Sequence, residues 1–477
     1  MKGPSNSIDQ AILNLVREKS SGKNAELPLK QNVTLSELGL GVLDIYDLIV
    51  ALEDRYQITI DEQEGPADAW TLETLSRCVK RKLLQKSSQT LNWKDLFENL
   101  IFSGKVRALR TPLTVHLDLT FQCNSRCIFC YDSSGADHGR AELTTEEVKR
   151  ILDECEEMDV VEVQFGGGEP FMREDLLDLV AYTKKKNLRI FILTNGSLIT
   201  EEKAHRLAAL MDRRFDNIQV SLDGARPEIH DKQRGVNGNF EKVLTGIRNL
   251  QQSGLSPVVN TVLTKLNYAH IPEMIPFLID EGIQVFRVLR LQPLGRCLNS
   301  SLYDELKLTP EQSEYIFEFL FEKREELFGQ LQISKDNACI FPMSSRTLRS
   351  RVLPQPGREP VSDACGAGTS KLAVGPDGSV FPCSYMYEFP ELRVGSVREN
   401  TLQELWDRDE LWTLYRNRLT PTGKCRGCEY LYYCKTGCRI ISYAIHGDMG
   451  APDPGCSYEP TGLQGVGEGG DQALRVA

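Results

Sequence analysis

No long run of Lys or Arg interrupts the 477 residues, and the formal charge is −11 at pH 7. A phosphate backbone is gripped by a concentrated basic surface, so no nucleic acid is expected as the main partner. No stretch approaches the ~20 apolar residues that cross a bilayer, and the opening MKGPSNSIDQ lacks the apolar middle of a secretory signal. The sequence therefore reads as soluble and cytoplasmic, with no membrane partner. Pro and Gly, at 22 and 37 residues, are too few for general disorder. Cysteine, by contrast, is abundant: fourteen residues, which in a reducing compartment point to metal rather than disulfides. Three fall within 123–130 and seven within 365–456, with Cys78, Cys155, Cys297 and Cys339 outside both groups.

The length exceeds that at which one core keeps growing, so two or three domains are expected. Residues 8–83 place apolar positions at helical spacing and read as a small helical bundle, followed by a bridging segment over 91–112. From 113 to about 300, six β-rich runs alternate with amphipathic helical runs. The runs begin at LTVHLDLT, VVEVQF, LRIFILTN, NIQVSL, PVVNTVLT and QVFRVLRL. This alternation predicts an α/β fold with a parallel sheet and right-handed crossovers, open or a partial barrel, with chemistry at the C-terminal strand ends. Residues 301–364 form a helical then irregular connector, 365–460 a cysteine-rich region, and 461–477 a Gly-rich tail. Cys78 and Cys155 sit on amphipathic helical runs and read as core residues.

Directly after the first strand stands Cys123-x3-Cys127-x2-Cys130. Three thiolates on one short loop can hold three irons of a four-iron cluster, leaving the fourth open to a cofactor or substrate. The alternative, a zinc knot, would normally show four ligands in paired spacings. The loop, with Phe129 before its last cysteine, resembles the radical S-adenosylmethionine superfamily. Gly167-Gly168-Glu169-Pro170 after the second strand resembles that family's segment for the methionine amino group. Asn195, after the third strand, and Ser221, ending the fourth, resemble its later cofactor segments. The resemblance places Ser221 near the ribose or carboxylate and Arg234 against the carboxylate, with Asn260 and Leu294-Gly295 as weaker matches. It implies a partial (β/α)6 barrel in which a reduced 4Fe-4S cluster cleaves S-adenosyl-L-methionine to a 5′-deoxyadenosyl radical that abstracts hydrogen. An electron donor such as flavodoxin or ferredoxin is implied with it.

The second group reads Cys365, Cys383, Cys425-x2-Cys428-x5-Cys434-x3-Cys438 and Cys456, with Gly375-Pro376-Asp377-Gly378 marking a turn. A pair of zinc sites would also accommodate Cys-x2-Cys. The pattern resembles the SPASM domain, an auxiliary-cluster extension of radical enzymes that modify peptides and proteins. That resemblance implies two auxiliary clusters: one on Cys365, Cys383 and Cys438, with Cys339 or nothing as fourth ligand, the other on Cys425, Cys428, Cys434 and Cys456. The sulfatase-modifying relatives carry Asp after the cysteine matching Cys383, where Ser384 stands here, which disfavours that activity. Tyr385 and Asp223 are candidate bases by position.

Residues 35–62 resemble an acyl or peptidyl carrier protein. Gly41-Val42-Leu43 replaces that family's phosphopantetheine-bearing Asp-Ser-Leu, and valine offers no hydroxyl. The resemblance implies a degenerate four-helix carrier whose Asp44, Asp47, Glu53 and Asp54 either recruit a carrier-protein or assembly-line partner or simply face solvent. The function expected is a maturase abstracting hydrogen from a peptide or protein side chain. Its rivals are a radical enzyme acting on a small molecule or carrier-bound amino acid, and a non-catalytic metal scaffold.

Overall fold

A computed structural model describes residues 108–135, 139–334 apart from 187, 299, 328 and 329, then 365–416, 420–434 and 436–460. N-terminal to these it describes residues 40–56 and scattered positions between 12 and 79. The chain divides into two compact units, Met1–Leu96 and Phe97–Ala477.

In the second unit the six expected strands form at β1 (Thr114–Asp118), β2 (Glu162–Gly166), β3 (Arg189–Thr194), β4 (Asn217–Ser221), β5 (Val258–Leu263) and β6 (Val285–Arg290). Neighbours pair in parallel in chain order. Successive side chains point to opposite faces of a strand, and the two faces of this sheet differ in chemistry. One carries Val115, Leu117, Val163, Phe165, Ile190, Ile192, Ile218 and Val220 into the main apolar core. That core is completed by the helices Thr145–Glu157, Leu176–Lys185, Glu201–Leu210, Asn239–Gln252 and Ile271–Asp280. The other face carries His116, Asp118, Gln164, Gln219, Ser221, Asn260 and Arg287, and polar groups cluster there because no helix core demands apolar ones. The helices begin where the sequence supplies caps: Thr144 and Glu147 form a reciprocal capping box, and Thr200 accepts from the Lys203 amide. Cys155 is buried in the first of these helices, as its position on an amphipathic run implied.

Four further short strands extend the same sheet. β7 (Gln332–Ser334) adds in parallel beyond β6. On the other side, β8 (Lys371–Val374) pairs in parallel with β1, and β9 (Ser379–Phe381) and β10 (Gly395–Ser396) follow antiparallel. The expected turn joins β8 to β9, closed by Gly378 N–H on the Gly375 carbonyl at 2.9 Å. The cysteine-rich region thus extends the sheet of the six core strands, and Leu402, Leu405, Trp406 and Trp412 join the main core. Residues 335–364, with Cys339, the tail 461–477 and the first part of the bridging segment lie outside the described residues.

Most of 8–83 also lies outside them, so the four-helix carrier-like bundle finds no support here. The described part holds the helix Val42–Tyr56, whose Ile45, Leu48, Ile49 and Leu52 meet Leu35, Leu40, Trp70, Leu75 and Cys78 in a small core. Two of its acids serve the backbone: Asp44 accepts the Gly41 amide at 2.8 Å and Glu53 the Ile60 amide at 2.6 Å. The side chain of Asp54 lies outside the described residues.

Candidate functional site

The cysteine loop 123–130 leaves the C-terminal end of β1 and is held from three directions. The Cys123 amide donates to the Gly135 carbonyl at 2.8 Å, and the Arg126 and Ile128 amides donate to the carbonyls of Arg234 and Gln233 at 2.9 and 3.0 Å. From the far side, Arg296 donates its amide to the Cys130 carbonyl at 3.0 Å and its Nη1 to the Cys127 carbonyl at 2.6 Å. Gly295 lies against the backbone of Cys130 and Tyr131. The three sulfurs sit in one electrostatic neighbourhood. Burial pushes the Cys123 thiol up to about 12 and raises Cys130 as well. Thiols so placed ionise only beside a strong positive centre.

The Gly-Gly-Glu turn after β2 fits against the start of this loop with no room for side chains. Gly167 has φ of +116°, and a Cβ there would stand 2.5 Å from the Thr120 carbonyl oxygen; one on Gly168 would stand 2.2 Å from that of Gln122. Glu169 is completely buried. Its Oε1 accepts from Thr194 Oγ1 at 2.6 Å and the Phe171 amide at 3.1 Å, and its Oε2 accepts the Asn195 amide at 2.7 Å. The carboxylate therefore ties β2's end to β3's end, although burial raises its pKa. Pro170 follows as the first residue of a 3-10 turn. Asn195 continues the chain of contacts: its Nδ2 donates to Asn124 Oδ1 at 2.7 Å, beside Cys123.

Arg234 ends the helix Pro227–Arg234 with its side chain 8% exposed. It stands over the Phe129 ring at 5.5 Å, donates Nη1 to Cys127 Sγ at 3.5 Å, and makes an ion contact through Nε with Asp223 Oδ2 at 2.7 Å, without hydrogen-bond alignment. Asp223 is fully buried and also accepts the Val262 amide at 3.0 Å, so it anchors Arg234 and the β5 backbone. Ser221 lies in register with Asn260, whose Oδ1 is buried and makes no hydrogen bond among the described residues. A buried orphan acceptor on the polar face is a place for a ligand's donor.

Sequence reasoning passed over several residues here. Asn124 and Arg296 bind the loop through partners that only the fold supplies. Tyr131, immediately after Cys130, meets Tyr385 edge to face at 4.8 Å between centroids, which joins the cluster loop to the C-terminal region. Asp132 is pushed up to about 7 by burial and then by the charge of Asp118. Asp118 itself is gripped by His116 Nε2 at 2.9 Å.

The C-terminal cysteines gather likewise. Cys425, Cys428, Cys434 and Cys456 influence one another electrostatically, as do Cys365 and Cys383. Burial pushes Cys425 up to about 11 and Cys434 up to about 12. No disulfide joins one described cysteine to another. Among the described residues no three His, Cys, Asp or Glu groups converge tightly enough to grip a single ion. A multi-iron centre, unlike a single ion, is held by thiolates that each bind a different iron.

Comparison with known proteins decides the family. The chain is 32% identical to the AdoMet-dependent heme synthase of Methanosarcina barkeri over 73% of its own length and 97% of that protein's. It belongs to the radical SAM superfamily. The superfamily's sequence profile matches residues 117–278, and that of the SPASM iron-sulfur cluster-binding domain matches 365–429. The chain is also 31% identical to the mycofactocin maturase MftC of Mycolicibacterium smegmatis, over 73% of this chain and 84% of that one. Its fold matches Streptococcus suis SuiB bound to precursor peptide SuiA, with a TM-score of 0.61 and 18% identity over 84% of this chain and 94% of that one. This radical SAM enzyme therefore works with 4Fe-4S clusters and S-adenosylmethionine. The thiols, the Arg234 guanidinium and the orphan Asn260 acceptor are a donor set that fits those groups. No described helix is long and apolar enough to cross a membrane.

Proposed function

We propose that this radical SAM enzyme is a maturase that abstracts hydrogen from a peptide or protein side chain. The observation that carries the reading is the sheet itself: β8, from the cysteine-rich region, pairs with β1, the strand that feeds the catalytic loop. That pairing joins the cysteine-rich region to the strand behind the catalytic loop, as suits auxiliary centres that take an electron from a substrate radical or return one. The likeness to a maturase supports the same substrate class.

When bound, the catalytic cluster and S-adenosylmethionine supply a one-electron cleavage that yields the hydrogen-abstracting adenosyl radical. The chain's own work is placement. Cys123, Cys127 and Cys130 would hold the catalytic cluster, with Arg234 on the Cys127 sulfur and over the Phe129 ring beside it. The Gly167-Gly168-Glu169-Pro170 turn, stiffened by Glu169, presents the methionine end; Asn195, Ser221 and Arg234 orient the rest of the cofactor. Holding reacting groups in one geometry replaces much of the entropic barrier. Cys365, Cys383 and Cys438 hold one auxiliary cluster, and Cys425, Cys428, Cys434 and Cys456 the other. The core is a partial (β/α)6 barrel, its catalytic cluster reduced in the cytoplasm by a flavodoxin or ferredoxin, and the likeness of residues 35–62 to a carrier protein suits either a recruiting surface or a solvated face.

A second reading, a small-molecule or carrier-bound amino acid substrate, draws on the likeness to a heme synthase. Anaerobic enzyme with dithionite and S-adenosylmethionine separates the two. Release of 5′-deoxyadenosine should rise with a short precursor peptide encoded beside the gene, together with a mass change in the peptide. Release that responds only to an iron porphyrin or to a carrier-bound amino acid would overturn the maturase reading.

A further inference from the structure

β6 ends on Arg290, whose guanidinium forks onto the carboxylate of Asp453: Nη1 donates to Oδ1 at 2.7 Å and Nη2 to Oδ2. The two side chains are 12% and 1% exposed. Asp453 spends its remaining capacity on the cysteine segments around it. Its Oδ2 accepts the Cys438 amide at 3.0 Å and its Oδ1 the Gly455 amide at 2.8 Å. Its own amide donates to the Thr436 carbonyl at 3.2 Å, and its carbonyl accepts the Cys456 amide at 2.9 Å. Gly437 comes so close that a Cβ there would stand 2.5 Å from Asp453 Oδ2. The Arg290 charge reaches the sulfur of Cys438, and the Asp453 charge reaches those of Cys425, Cys434 and Cys456.

Burying an ion pair is a poor route to stability, because desolvating two charges consumes most of the attraction and a well-packed apolar pair often does as well. What such a pair supplies better is a fixed charge at a fixed place. Cluster potentials respond to net charge and to hydrogen bonds near the sulfurs. We propose that Arg290 and Asp453 are positioning residues for the auxiliary iron-sulfur centre at Cys438, tying the Cys438 segment, and with it the Cys456 segment of the neighbouring centre, to the end of β6 and setting the electron affinity of the Cys438 centre through two opposite charges. The inference rests on the reading of the C-terminal cysteines as cluster ligands.

The sign of the effect distinguishes this role from a merely architectural one. A nearby cation favours the reduced, more negative centre and a nearby anion disfavours it, so the two losses act in opposite directions. Two losses of architecture would instead loosen the same segments and act alike.

The test uses the full chain with Cys123→Ala, Cys127→Ala and Cys130→Ala, reconstituted anaerobically with iron and sulfide, so that only auxiliary centres remain. A redox titration followed by electron paramagnetic resonance reads the midpoints. Arg290→Gln should lower one midpoint, Asp453→Asn should raise the same one, and Arg290→Lys, which keeps the charge, should leave it near the parent's. Shifts in one direction for both neutral variants, or none, overturn the inference. Should a single neutral variant lose its iron through the unpaired buried charge, Arg290→His decides. Its midpoint should fall more steeply than the parent's as the imidazole loses its proton between about pH 6 and 8, and a parental slope overturns the proposal. No iron in the triple-alanine parent would instead bring down the ligand reading, and this inference with it.

Discussion

Replacing Glu169 by Gln tests how the cofactor's seat is stiffened. The carboxylate serves two obligate backbone donors, the amides of Phe171 and Asn195, and the Thr194 hydroxyl. A glutamine amide presents one oxygen and one NH2, so in either orientation a buried backbone N–H faces a donor. Leaving such a group unsatisfied costs ~1–3 kcal/mol, and the lost charge assistance adds to it, while relief from burying a carboxylate subtracts. A net penalty of about 2 kcal/mol falls on the turn that links β2, β3 and, through Asn195 and Asn124, the cluster loop. If cofactor binding must restore that turn, affinity falls by ~30-fold, since 1.4 kcal/mol is one decade. The assay is titration of reduced, reconstituted enzyme with S-adenosylmethionine, followed by the change in the cluster's electron paramagnetic resonance signal, with iron content measured in parallel. Glu169→Gln should retain its iron and bind the cofactor tens of times more weakly. Unchanged affinity at full iron occupancy would refute the argument that this carboxylate organises the seat.

Changing Cys123, Cys127 and Cys130 together to Ala should abolish 5′-deoxyadenosine formation and remove about four irons per chain, leaving the C-terminal iron in place. Persistent cofactor cleavage would exclude this loop as the catalytic ligand set. Gly168→Ala drives a methyl into the Gln122 carbonyl and should destabilise the fold by roughly 1–3 kcal/mol in denaturant titrations. Hydrogen bonds from Arg398 and then from the Thr144 amide hold the Glu147 carboxyl down to about 2. With its folded pKa depressed below the usual 4.5, this pair stabilises the fold above about that pH and is lost as pH falls through about 2. With the Arg398 and Glu147 side chains 37% and 25% exposed, solvent still screens the pair, which should be worth no more than about 0.5 kcal/mol in a double-mutant cycle of Glu147→Gln with Arg398→Gln, fading over that window.

The six core strands were legible because short β-rich runs alternate with amphipathic helical runs, and the observed strands start within two residues of the runs read from sequence. The cysteine groups stood out in the sequence by their spacing, while the choice of iron-sulfur over zinc came from the family resemblance. β7 to β10 were not foreseen: they are two to four residues long, too short for a periodic signal, and β8 takes its identity from β1, far away in sequence. Polar partnerships were equally hidden. Nothing local marks Arg296 as the clasp on the Cys127 carbonyl, or Asp453 as the partner of Arg290, since tertiary packing selects both. Asp223 was read as a base candidate from its strand-end position, whereas its neighbours hold it as the counter-charge of Arg234.

Because β1 is flanked on one side by β2 and on the other by β8, the radical core has no finished margin until the last third of the chain has been made. At the ~5–20 residues per second of synthesis, a growing chain exposes one row of backbone donors and acceptors on β1 for on the order of ten seconds or more. A fragment ending before residue 365 would carry that bare row permanently, beside the loop that must receive iron, and would invite strand-to-strand association. Exchanging auxiliary modules between such enzymes therefore means transplanting β8 with its register on β1, rather than splicing at the connector.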